Sequence, residues 1–207
     1  MAARIVPFGE AALLLELDER IDPAVAARAA AIADAWERSG SGRAVPTYAS
    51  VLLRFDPIEL EPAAAEELAR AIADTPGAPL DPREREIPTR YDGPDLDEVA
   101  RMSGLTTDEV IAAHAERAYR VFFLGFMPGF AYCGVLDERI VAPRLASPRT
   151  RVPAGSVAVA DGQTAVYPFA SPGGWRLIGS TDVAMFDPGR DPPALLRAGD
   201  VVRFVRR

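Results

Sequence analysis

The sequence predicts an α+β protein in two parts: a ferredoxin-like α/β domain over residues 1–88, then a β-barrel domain over residues 89–207. Three observations lead there. Over roughly the first 90 residues, strand and helix periodicities follow the order β-α-β-β-α-β, a ferredoxin-like pattern. After Tyr119 the apolar segments become short and Gly and Pro become frequent, as in a barrel or sandwich of short strands. Pro79, Asp81-Pro82 and Pro88 break the pattern between the two parts.

The elements follow in order. A first strand falls at Arg4–Val6 or Leu13–Leu17. Asp22-Pro23 opens a helix, Asp as cap and Pro in the first turn. Val25, Ala29, Ile32 and Trp36 recur at helical spacing until Gly40. Strands are expected at Ala44–Tyr48 and Val51–Phe55, and a helix from Pro62 to Asp74 with Leu68 and Ile72 on one face. A strand near Glu86–Tyr91 completes the pattern. Helices return between Asp95 and Ala118, where Thr106 and Glu109 form a capping box. Gly104 gives this pair the look of a helix-turn-helix, but its second helix begins Asp108-Glu109, the wrong charge to face phosphates. Strands are expected at 119–124, Ser156–Ala160, Thr164–Pro168, Trp175–Ile178 and Val201–Val205, with no convincing helix or long strand from Gly125 to Gly155. So long an irregular connection suggests a functional segment.

Composition removes several function classes. All 23 basic residues are arginine, so a P-loop and a lysine Schiff base are both excluded. One His and one Cys cannot make the usual Cys/His zinc site, and no metal site is expected. A net charge of −7 argues against general nucleic-acid affinity. No apolar run is long enough to span a bilayer, and Ala11–Leu15 is too short for a signal-peptide core, so a cytoplasmic protein without membrane association is expected. The stretch Arg120–Ser180 carries six Arg against three acids, so the basic excess lies within one region.

That region also carries the distinctive motifs. Leu124-Gly125-Phe126-Met127-Pro128-Gly129-Phe130 leads through Tyr132 to Pro148-Arg149-Thr150-Arg151-Val152-Pro153-Ala154-Gly155-Ser156-Val157. Gly162-Gln163-Thr164 and Ser171-Pro172-Gly173-Gly174-Trp175-Arg176-Leu177-Ile178-Gly179 follow. In this order and combination they closely resemble the KipI/PxpB family, also called allophanate hydrolase subunit 1, from about Ile87 to the C-terminus. The departures are Ala131, Cys133 and Gly162, where the family usually has Pro, Leu and Asn; none removes a charge.

The resemblance implies a cyclophilin-like β-barrel for the C-terminal part. It also implies a role in ATP-dependent opening of 5-oxoproline to L-glutamate, shared with 5-oxoprolinase subunits C and A, with ATP and Mg²⁺ serving the complex. The alternative it offers is a regulator that inhibits a sensor histidine kinase. Prolyl isomerase activity would rest on the barrel alone, a weak basis.

The residues themselves allow the following. Arg149 and Arg151, two apart in an extended segment, project from one face and with Arg144 make a fork for carboxylate or phosphate. Alternatively they pair with a partner subunit's carboxylates or with Asp137 and Glu138. Gln163, with Thr164 beside it, offers a donor and an acceptor to a lactam, or satisfies buried backbone. Phe130, Tyr132 and Trp175 either wall a pocket or pack as core. Gly173 and Gly174 permit close backbone approach to a ligand, or only a turn. His114 reads as a half-buried structural histidine and Cys133 as a packed side chain, so no catalytic residue is assigned.

Overall fold

The computed structural model describes residues 3–18, 22–77 and 82–207. The chain divides into two compact units, 1–80 and 81–207. Pro79 and Asp81 lie outside the described residues. Among the described residues no helix is long and apolar enough to cross a membrane.

The first unit contains β1 (Arg4–Pro7), β2 (Ala12–Glu16), α1 (Pro23–Arg38), β3 (Ala44–Pro46), β4 (Ser50–Arg54) and α2 (Pro62–Ile72). The Asp22 carboxylate accepts from the N–H groups of Ala24 and Val25 and starts α1, with Pro23 in the first turn. Ala29, Ile32 and Trp36 of α1 face Leu13, Leu15, Val51 and Leu53 of the sheet, all buried. Trp36 Nε1 donates to the Arg54 carbonyl at 3.0 Å, so the indole brings no unmet donor into the core.

The sheet order β1-β2-β4-β3, antiparallel throughout, corrects the ferredoxin-like reading. Both candidate first strands exist and pair as a hairpin. β1 thereby fills the position beside β2 that the sequence pattern assigned to the strand near residue 86. The unit runs β-β-α-β-β-α.

The released strand is β5 (Glu84–Thr89), and it opens the second unit. There follow α3 (Leu96–Ser103), α4 (Thr107–Ala115), β6 (Ala118–Leu124), β7 (Ala131–Gly134), β8 (Arg149–Val152) and β9 (Ser156–Ala160). The chain ends with β10 (Gln163–Val166), β11 (Ser171–Gly173), β12 (Arg176–Ser180) and β13 (Val201–Arg206). β5 runs parallel to β13 along its whole length, and Arg83 forks onto the buried Asp200 at 2.9 and 3.2 Å. A division at 88/89 would cut through this pairing. Local alternation reveals a strand but not which sheet it joins, and Ile87 and Thr89 are fully buried in this one.

Seven strands follow the order β12-β9-β10-β7-β6-β13-β5. The two edges meet where Arg90 and Ser180 exchange backbone hydrogen bonds of 2.7 and 2.8 Å, which nearly closes the sheet into a barrel. Gly179 lies at this seam because a Cβ there would sit 2.3 Å from the Arg90 carbonyl oxygen. β8 and β11 form a separate two-stranded ribbon. The stretch from Gly125 to Gly155 contains two short strands, β7 and β8, and no helix or long strand, as the sequence suggests. α3 packs on β12 and α4 on β13, and the Thr106–Glu109 capping box is complete.

The barrel interior holds a polar network on His114, which is fully buried rather than half-buried. Thr164 Oγ1 donates to the Ala158 carbonyl at 3.1 Å, so it accepts from His114 Nε2 at 2.8 Å. That leaves Nδ1 to accept from the Tyr91 hydroxyl at 2.8 Å. The ring is therefore neutral, and burial pushes its pKa down from 6.5 to about 3.

This shift makes stability pH-dependent. Unfolded His114 protonates below its ordinary pKa of 6.5 while the folded imidazole stays neutral to about pH 3. Stability therefore falls as the pH drops from 6.5 towards 3, by up to about 1.4 kcal/mol per pH unit. Between pH 7 and pH 5 the native protein should lose about 2 kcal/mol more than His114→Gln, measured by denaturant unfolding. An equal loss in both would contradict the neutral, locked imidazole.

Candidate functional site

The turn before β7 closes with hydrogen bonds from Gly125 N to Phe130 O and from Phe130 N to Met127 O, both 3.1 Å. Within it Met127 N donates to Gly125 O at 2.7 Å, and Phe126 between them has φ = +66°. That is a γ-turn of the strained hand. A non-glycine residue in this backbone region costs roughly 1–3 kcal/mol. Core packing does not account for it, since Phe126 is 63% exposed.

Phe126 meets the rings of Phe130 and Tyr167 edge-on, at 5.4 and 6.5 Å. Phe130 is the centre of the cluster, edge-on to Tyr132, Tyr167 and Trp175 at 4.9, 5.3 and 5.6 Å. Tyr132 also stacks on Phe123 at 4.5 Å. Six residues singled out in the sequence come together around one cavity of about 300 Å³: Phe130, Tyr132, Arg144, Gly173, Gly174 and Trp175. Phe126 and Tyr167 join them, as do Leu145 and Pro148. Burial raises the pKa of both phenols, and Arg144 lowers each by a smaller amount. Both remain protonated donors at neutral pH.

Of the three candidate arginines only Arg144 lines this cavity. Its Nε donates to Asp161 at 2.9 Å, and its terminal nitrogens have no partner among the described residues. Arg149 points elsewhere. Its Nη2 donates to Asp95 Oδ1 at 2.6 Å. Asp95 is 4% exposed, and its other oxygen accepts from Leu177 N at 2.6 Å. The sequence offered Asp137 and Glu138 as alternative partners, but Asp137 pairs with Arg139 and Arg117. Arg149 Nη1 is buried without a partner among the described residues. Arg151, on the same strand, is exposed and has no ion pair among the described residues.

Gln163 and Thr164 do not line the cavity. They alternate on β10. Gln163 shares a face with Ala165, which packs in the aromatic cluster, whereas Thr164 points inward to His114. Cys133 is buried, and burial pushes its thiol up to about 12, so it is inert at neutral pH. Among the described residues no three His, Cys, Asp or Glu side chains are grouped to hold a metal ion.

The family described as carboxyltransferase domain, subdomain C and D, matches residues 3–196. The chain belongs to this family. It is similar to the 5-oxoprolinase B subunit of Bacillus subtilis (strain 168), 40% identical over 99% of this chain and 89% of the relative. It is also similar to the 5-oxoprolinase B subunit of Escherichia coli O157:H7, 43% identical over 98% of this chain and 95% of that one. An uncharacterised Pyrococcus horikoshii protein of solved structure is 40% identical, with a TM-score of 0.59 and coverage of 99% and 97%. The solved TTHA0988 chain is 41% identical with a TM-score of 0.83; it covers 95% of this chain, which spans only 40% of it. The Kluyveromyces lactis urea amidolyase shares the fold alone, at 20% identity and a TM-score of 0.85 over 99% of this chain and 15% of that one.

Ala131 and Cys133, two of the departures from the resemblance, do not line the cavity. Both residues face the barrel core, while Tyr132 between them faces the aromatic cluster. Sequence reasoning missed Asp95 and Glu98. These two acids of the α3 N-terminus hold Arg149 and Arg176, the latter also donating to the Pro143 carbonyl at 3.1 Å. Asp95 read only as part of a helix start, and nothing local tied it to a strand 54 residues away.

The glycine pair divides into two roles. A Cβ on Gly173 would lie 2.3 Å from the Tyr167 hydroxyl and 2.9 Å from its ring, and that ring is buried. A Cβ on Gly174 would meet nothing nearer than Pro148 at 3.6 Å. Gly173→Ala should lose about 1–3 kcal/mol of unfolding free energy by overpacking, with Gly174→Ala close to the native value. Equal stability of the two variants in denaturant melts would contradict this division.

Proposed function

We propose that this chain is a subunit of an ATP-dependent 5-oxoprolinase that opens 5-oxo-L-proline to L-glutamate together with partner subunits. The observation that carries this reading is the 40–43% identity, over at least 98% of the chain, to two bacterial 5-oxoprolinase B subunits.

The chemistry of the chain fits a contributing subunit. His114, the one histidine, is buried in a closed network, and the Cys133 thiol is buried and protonated. Neither is available as a base or nucleophile. The cavity presents phenols and a guanidinium, groups that bind and orient rather than attack a carbonyl. The remaining machinery, ATP with Mg²⁺ included, belongs in this reading to the assembled complex with subunits C and A. Arg151, exposed and without an ion pair among the described residues, is the arginine of the 149–151 pair best disposed to meet an anion of the complex. Arg149, held by Asp95 with its Nη1 buried, serves the wall beside Arg151 rather than an anion.

The purified chain should show no 5-oxoproline-dependent ATP hydrolysis, and co-expression with the partner subunits should restore it. Glutamate production by the chain alone would contradict the composite site. Its absence from the assembled complex would contradict the function.

A further inference from the structure

We infer that the aromatic cavity seats the five-membered lactam ring of the substrate and that the terminal nitrogens of Arg144 take its carboxylate. This inference rests on the 5-oxoprolinase reading and assigns the substrate a place within this chain.

Size and charge select the ligand. About 300 Å³ lies at the small end of ligand sites, which run to roughly 1,000 Å³. Arg144 is the one charged residue among those lining the cavity. A nucleoside triphosphate carries several negative charges and has only one cation to meet here, whereas a single carboxylate is matched by one guanidinium. Asp161 holds Nε at 2.9 Å and leaves the outer two nitrogens as the paired donors that carboxylate geometry requires.

The rest of the cavity suits the ring. Its methylene edge is apolar and would lie against Phe130 and Trp175, which already form a rigid edge-on pair at 5.6 Å. The phenols of Tyr132 and Tyr167 are protonated donors on the same walls, suited to a lactam carbonyl. Phe126 adds a second argument. Its backbone is held at φ = +66° by a turn hydrogen bond, and its ring is mostly exposed while touching Phe130 and Tyr167. Strain kept at an exposed aromatic beside a cavity is explained by contact with something that enters the cavity.

The test uses the assembled complex, with assembly checked by gel filtration. Calorimetry would measure 5-oxoproline and its uncharged analogue 2-pyrrolidinone against the native complex, Arg144→Gln and Phe126→Gly. Arg144→Gln should weaken 5-oxoproline about tenfold to a hundredfold and leave 2-pyrrolidinone unchanged, because only the charge-assisted contact is lost. Phe126→Gly should melt at or above the native temperature, since glycine relieves the strain, yet bind both ligands more weakly. Native 5-oxoproline affinity in Arg144→Gln would overturn the carboxylate assignment, and native affinity for both ligands in Phe126→Gly would overturn the aromatic seat. The steady-state assay separates the two levels. Normal 5-oxoproline-dependent ATP hydrolysis by the native complex, with Arg144→Gln equally active at low substrate, overturns the cavity assignment alone. No such hydrolysis by the native complex overturns the functional reading and this inference with it.

Discussion

Asp95 is the residue on which the cavity wall depends. It is buried, and a buried carboxylate persists only if its oxygens are satisfied. One oxygen accepts from the Arg149 guanidinium and the other from Leu177 N, while its own N–H donates to Leu177 O at 2.9 Å. Three contacts therefore fix the start of α3 against β12 and β8. β8 pairs with β11, and there Gly173 lies under Tyr167, while Trp175 directly precedes β12. Glu98 and Arg176 repeat the arrangement one helical turn further on. Of the acids in this helix pair, Asp95 and Glu98 turn towards the barrel, while Asp97, Asp108, Glu109 and Glu116 are exposed.

The second constraint is strand alternation, which gives one barrel two different faces. On β7, Ala131 and Cys133 enter the core while Tyr132 joins the aromatic cluster. On β10, Thr164 enters the His114 network while Ala165 joins the same cluster. The inward face contains the only histidine and the only cysteine, one neutral by burial and the other a protonated thiol. The histidine and the cysteine are thus structural, and the cavity is lined by rings and a guanidinium. Such a division suits a protein that binds and orients while chemistry is completed by others.

Much of this was legible in the sequence, where local physics decides. The Asp22 cap, the Thr106–Glu109 box and the strand Ser156–Ala160 form where their signals lie. The aromatic and glycine positions were recognisable because they lie in or beside dense motifs, and Arg144 because it lies close in sequence to Arg149 and Arg151. What failed was long-range. A strand at Glu84–Thr89 is readable, but its partner Val201–Arg206 is over a hundred residues away. β1 claimed a sheet position that alternation alone cannot assign. β7 and β8 are four residues each and bounded by Gly and Pro, below what periodicity resolves. Arg149 read as part of an anion fork, or as a partner of Asp137 and Glu138, acids near it in sequence. Its true partner lies at the start of a helix that local sequence does not connect to it.

Asp95 holds the cavity wall, and amide hydrogen exchange of the Leu177 N–H tests this most directly. That amide donates to Asp95 Oδ2, while the Val121 amide, in the same barrel, donates to the Asp200 carbonyl at 2.8 Å and serves as the internal reference. In Asp95→Ala, Leu177 should exchange at least tenfold faster relative to Val121, together with its neighbours in 171–177. Unchanged relative protection of Leu177 would show that the wall stands without Asp95 and would contradict its central role.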